Sequence, residues 1–139
     1  MSPLLSERTR QMFSQSLPLF RARKHEVIDR MQACLELGEP DQKAGQSAIS
    51  TVVLVEMLAN QARQLLRTGK FDDLAHIPGE HAELQITGRT YSRFGDFLVP
   101  ILKDVLGPNT PSVVPGLWCD TFWRIIRSAR SAQPVLEAA

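Results

Sequence analysis

The stretch QSAISTVVLVEMLANQARQLL, residues 46 to 66, contains neither glycine nor proline and repeats apolar residues at Ile49, Val52, Val53 and Met57. Spacings of three and four put these side chains along one face of a helix. A helix with one oily stripe must bury it, so the rest of the chain has to supply the layer it packs on.

The other segments carry the same rhythm. Residues 6 to 37 set Met12, Leu17, Phe20, Val27, Ile28, Met31 and Leu35 mostly three and four apart, interrupted at Pro18, which predicts one or two helices. GEPDQ at 38 to 42 is a short break. Beyond the long helix, Gly69 reads as a stop, and Asp72 or Asp73 as the start of a brief helix that Pro78 and Gly79 perturb before His81. TGRTYSRFGDFLVPILKDVLG, residues 87 to 107, places Tyr91, Phe94, Leu98, Ile101, Leu102 and Val105 on one stripe that Gly107 closes. In the next stretch Thr110 suits a cap and Pro111 the first helical position, followed by Val114, Trp118, Phe122 and Ile125 or Ile126. No β-hairpin signal or internal repeat interrupts this pattern. The expected fold class is all-α, with six to seven helices in a single domain over 1–139 and frayed tails at 1–5 and 132–139.

A chain of 139 residues can bury a core large enough to enclose a ligand and is too short for two domains. Its net charge of +1 gives no field to gather polyanions, so no nucleic-acid partner is expected. Cys34 and Cys119 are too few and too far apart for a disulfide framework or a Cys-x-x-Cys metal site, which predicts a reducing, cytoplasmic setting. The start MSPLLSERTRQMF lacks a long apolar core after a basic head, and the longest oily run, VVLV at 52 to 55, cannot span a bilayer; neither secretion nor membrane embedding is expected. Gly-rich phosphate loops, His-Glu-x-x-His zinc motifs and Gly-x-Ser-x-Gly elbows are missing. RARK at 21 to 24 and His25 read as a wet face.

One region stands out chemically. IPGEHAELQITGRTY, residues 77 to 91, sets an Ile four residues before His81, a Gln-Ile pair soon after it and Tyr91 ten residues on. This pattern resembles the F helix and following corner of bacterial globins of the single-domain or flavohaemoglobin-like branch. YSRFGDFLVPILKDVLG resembles the G helix of that family, TPSVVPGLWCDTFWRII its H helix, and LPLFRARKHEVIDRM the end of its A helix and its B helix. Order and spacing carry the resemblance over most of the chain.

The resemblance implies a b-type haem whose iron is held by His81. Haem iron needs a neutral imidazole, usually with the other ring nitrogen donating to a backbone carbonyl. If residues 77 to 81 are helical, the Ile77 carbonyl lies one turn back and can accept that proton. Ile86, Phe94 and Leu98 stand where the corner and next helix would wall the macrocycle, and Arg89 or Arg93 could pair with its propionates. His25 and His76 lack such surroundings.

The chain also departs from the family. The B-helix position that usually holds tyrosine is Gln32, no Phe lies between Phe20 and Phe71 to wedge the haem, and the Leu35–Gln46 segment contracts the C–D region. Counting back from His81 puts Ile49 at the ligand-facing position, with Val53 one turn later; an insertion near RTGKF would bring Gln46 there instead. Ser50, beside Ile49, is small enough to let the B and E helices approach. In flavohaemoglobins the tyrosine matching Tyr91 joins a glutamate in polarising the proximal histidine; here the glutamate position falls near Gln133, an incomplete triad.

The expected function is therefore reversible coordination of a diatomic gas, O2, NO or CO, for binding or sensing. Two alternatives remain: a haem-free globin-like regulatory domain whose pocket holds a fatty acid or nothing and whose helices pair with a partner or, as a homodimer, with a second copy, and a nitric oxide dioxygenase served by an external reductase.

Overall fold

The computed structural model describes the backbone of residues 6–37, 44–72, 74–84 and 86–132. Among these it is all-α: α1 (Glu7–Ala22), α2 (Lys24–Leu37), α3 (Ala44–Thr68), α4 (Ile77–Glu83), α5 (Gly88–Leu106) and α6 (Val114–Ala132). Among the described residues no helix is long and apolar enough to cross a membrane. The expected tails lie outside the described residues, except that Ala132 ends α6.

Local chemistry explains most of the boundaries. Ser6 caps α1 by accepting from the Thr9 amide, and Thr87 and Thr90 form a reciprocal capping box at the start of α5. Gly69 and Gly107 adopt positive φ of 80° and 86°, a region where a Cβ is strained, so both expected stops are realised by conformations that favour glycine.

Three boundaries differ from the sequence expectation. Pro18 sits inside α1, and the break to α2 comes at Arg23, whose amide still bonds to Leu19. A proline costs one ladder bond, but the buried side chains of Phe13, Ser16 and Phe20 keep the helix on its course. The brief helix begins at Ile77 rather than at Asp72 or Asp73, with Pro78 in its first turn, where the missing amide is harmless. The Asp72 amide instead donates to Gln61 Oε1 at 2.9 Å, and Asp73 lies outside the described residues. Nor does Thr110 cap α6: its hydroxyl donates back to the Leu106 carbonyl at 2.9 Å, and α6 starts at Val114, beyond Pro111.

Packing is most extensive between α2 and α5, α5 and α6, and α2 and α3. At one end Trp118 stacks on Phe20 with centroids 4.1 Å apart and meets Phe13 edge-on at 4.8 Å. Its indole donates to Ser16 Oγ at 2.9 Å, and that hydroxyl donates to the Phe13 carbonyl at 2.6 Å, so the buried polar atoms are satisfied. A second aromatic row, Phe94, Phe122 and Tyr91, runs through the core to His81.

Arginines tie helix ends across the fold. Arg10 bonds the Leu66 carbonyl near the end of α3, Arg23 donates to Val105 O at 3.0 Å near the end of α5, and Arg93 to Cys34 O at 3.0 Å near the end of α2. Each supplies a donor where the terminal carbonyls of a helix lack one. RARK is thus not simply a solvated face, since Arg23 makes this bond and Lys24 pairs with Glu56 at 2.6 Å. His25 is exposed, as expected.

Candidate functional site

His81 is carried by the seven-residue α4. The Ile86 amide donates to the His81 carbonyl at 2.9 Å, and Tyr91 follows in the first turn of α5. His81 is 2 % exposed, and its Nδ1 lies 2.6 Å from the Tyr91 hydroxyl. The partner of Nδ1 is therefore Tyr91 and not the Ile77 carbonyl expected from helical spacing. A side chain from the next helix takes the place of the backbone, because the Tyr91 hydroxyl at the start of α5 reaches Nδ1.

Burial holds the His81 imidazole below the ordinary histidine range; the Glu80 carboxylate partly offsets this and His76 adds to it. His81 is neutral near pH 7 as a result. Burial likewise pushes the Tyr91 phenol up, against the smaller opposing effect of Arg130. Nε2 makes no hydrogen bond among the described residues.

His81 borders a cleft of about 280 Å³ between α3 and α4. Val52, Val53 and Met57 form the α3 wall, Ile77 lies beside His81, and Glu56, Gln61 and Glu80 add polar edges. Val53, Met57 and Gln61 follow one another at intervals of four along one helical face. The structure thus brings His81, Tyr91, Ile86 and Val53 into one neighbourhood, with Ile86 and Tyr91 bordering a second cavity. Phe94 and Leu98 are fully buried behind them in the core.

The other expected site residues lie elsewhere. Ile49 is 53 % exposed and does not line the cleft. Gln32 is half-buried on α2 and donates to Glu36 at 3.2 Å. The side chain of Gln46 is outside the described residues. Ser50 is buried in α3, its hydroxyl unpartnered. Arg93 is spent on the Cys34 carbonyl, and Arg89 is exposed at the start of α5. Gln133 lies outside the described residues; from α6 it is Arg130 that faces Tyr91. Arg130 follows Ile126 by one turn, so continuing the apolar stripe of α6 was the signal that could have found it.

Neither protein families, nor curated proteins, nor solved structures match this chain. Among the described residues no group of three His, Cys, Asp or Glu could hold a metal ion. His81 is thus a lone buried donor. One protein ligand suffices only for a metal whose remaining coordination comes from a framework of its own. Cys119 offers no alternative chemistry, because burial and then the Asp120 charge push its thiol up.

Proposed function

We propose that the chain is a globin-like haem protein that binds a diatomic gas, with His81 as its single protein ligand to iron. The observation that carries this reading is the 2.6 Å contact between His81 Nδ1 and Tyr91 at the edge of a cleft whose α3 wall carries Val52, Val53 and Met57. The donor set fits a b-type haem: a neutral, buried imidazole, oriented through Nδ1, with Nε2 uncommitted. Haem would supply an iron centre able to bind O2, NO or CO.

The chain's own residues do the rest. Tyr91 fixes the ring plane and, when Nδ1–H donates to it, leaves the Nε2 lone pair directed away from α5. Val53 and Met57 exclude water from the α3 wall, and neither offers a hydrogen bond to a bound gas. The cleft lies at the small end of the roughly 300–1,000 Å³ usual for ligand sites. A larger planar ligand leaves an edge outside, where the exposed Val52 provides apolar cover.

That limited volume, with Glu56 and Glu80 at the cleft, is also the observation favouring a haem-free interaction domain. Reconstitution decides between them. The purified chain mixed with haem is expected to give a Soret band that His81→Ala largely abolishes and that His25→Ala and His76→Ala preserve. No band in the wild type, or an unchanged band in His81→Ala, sinks the haem reading. A nitric oxide dioxygenase would in addition form nitrate when given an external reductase.

A further inference from the structure

A second cavity, about 200 Å³, touches Tyr91 but not His81. Ile77, Ile86, Ile126 and Ala129 give it apolar walls, and among the described residues that line it only Arg130 is charged. Arg130 extends over the first turn of α5, with Nη2 3.9 Å from where a Cβ on Gly88 would stand. It forms no salt bridge among the described residues, and its charge acts on the Tyr91 phenol.

Counting protons across the His81–Tyr91 contact separates two arrangements, of which one lacks a partner. Neutral imidazole carries one N–H, and a phenol carries one O–H. If Tyr91 donates to Nδ1, His81 holds its proton on Nε2. If Nδ1–H donates to Tyr91, the phenol hydrogen needs an acceptor elsewhere, and Tyr91 has no second hydrogen bond among the described residues. Arg130 cannot serve, because guanidinium has donors only. The tautomer with a free Nε2 lone pair therefore needs an acceptor from outside the described residues, next to a cation and an apolar wall.

We propose that this cavity binds a short aliphatic carboxylate, which pairs with Arg130, accepts the Tyr91 hydroxyl and so holds His81 in its Nδ1–H tautomer. The head group pairs with the exposed Arg130 guanidinium by charge-assisted hydrogen bonds. The chain lies on Ile77, Ile86 and Ile126, and each methylene it buries tightens binding roughly fourfold until the cavity is full. Inorganic anions would gain nothing from those walls. The site rests on the cavity and Arg130; the demand for an acceptor on Tyr91, and its consequence at iron, rest on the haem reading, which needs the Nδ1–H tautomer.

The test uses the full chain without haem, labelled with ¹⁵N-histidine and titrated with acetate, butanoate and hexanoate at constant ionic strength set by sodium chloride. Butanoate is expected to move the His81 ring nitrogens saturably toward the Nδ1–H pattern, and to bind about tenfold or more tighter than acetate. Arg130→Gln should weaken butanoate at least tenfold. Ala129→Leu, which fills the cavity and leaves the charge in place, should remove the preference for butanoate over acetate. The proposal is overturned if no saturable change occurs, if Arg130→Gln responds like the wild type, or if acetate and butanoate are equivalent, which would indicate ion pairing at the surface. Failure here with an intact Soret band in the reconstituted protein leaves the haem reading standing. Success here without a Soret band removes the haem reading alone.

Discussion

His81 and Tyr91, ten positions apart in the chain, meet through a buried 2.6 Å hydrogen bond between Nδ1 and the phenol oxygen. The bond ties the short α4 to the long α5 and sets the plane of the imidazole. Tyr91→Phe keeps the ring packing against Phe122 but leaves a buried ring nitrogen without its partner. The expected loss is about 1–3 kcal/mol. It should appear as a lower urea midpoint at unchanged m-value in the protein without haem; an unchanged midpoint would mean the contact contributes nothing to folding.

Stability of the protein without haem should fall with acid through the same histidine. Because burial lowers the folded-state value below the ordinary 6.5, the unfolded chain binds a proton that the folded chain refuses in the window between the two. His81's contribution is therefore fully present above about pH 6.5 and is lost as pH falls from there toward the folded-state value. The melting temperature is expected to decline between neutrality and mildly acid pH, and His81→Gln should flatten that decline. Equal slopes in the two proteins would show that other groups govern the acid response.

What the sequence made legible follows from how local each cause is. Helical spacing and glycine stops are local, and the long helix, α5 and the positive-φ ends at Gly69 and Gly107 were readable from them. The interval from His81 to Tyr91 could also be read, because the turn between them is short and tightly bonded through Ile86. The phase of α3 relative to α4 could not. It depends on how α3 packs against its neighbours, which is why Ile49 is exposed while Val53, one turn on, lines the cleft. Arg130 escaped for a related reason: a surface arginine acquires meaning only when the end of α6 is laid over the start of α5.

That crossing of α5 and α6 is close. A Cβ added to Gly95 would stand 2.8 Å from Trp123 Cζ2 and Nε1, nearer than side chains tolerate, and an indole is too rigid to yield locally. Gly95→Ala should cost about 1–3 kcal/mol through overpacking, despite the better helix propensity of alanine. Trp123→Phe in the same chain should recover part of the loss, whereas additive effects in the double variant would place the strain elsewhere. Thermal unfolding followed by near-ultraviolet circular dichroism reads both.

The placement of α3 gives the sharpest test of how a ligand meets the cleft. Val53 is half-buried on its wall, while Ile49 projects outside it. Val53→Phe adds bulk inside a cavity of about 280 Å³, and overpacking of about 1–3 kcal/mol corresponds to a loss of order tenfold in haem affinity. Ile49→Phe adds its ring on the exposed surface outside the cleft, where substitutions usually change free energies by less than about 0.5 kcal/mol, so haem affinity should stay within about twofold. Competition for haem against a scavenging apoprotein measures both affinities, and carbon monoxide recombination after photolysis should follow the same order. If Ile49→Phe perturbs either quantity as strongly as Val53→Phe, Ile49 faces the bound ligand, and α3 must turn on its axis when the cleft is filled.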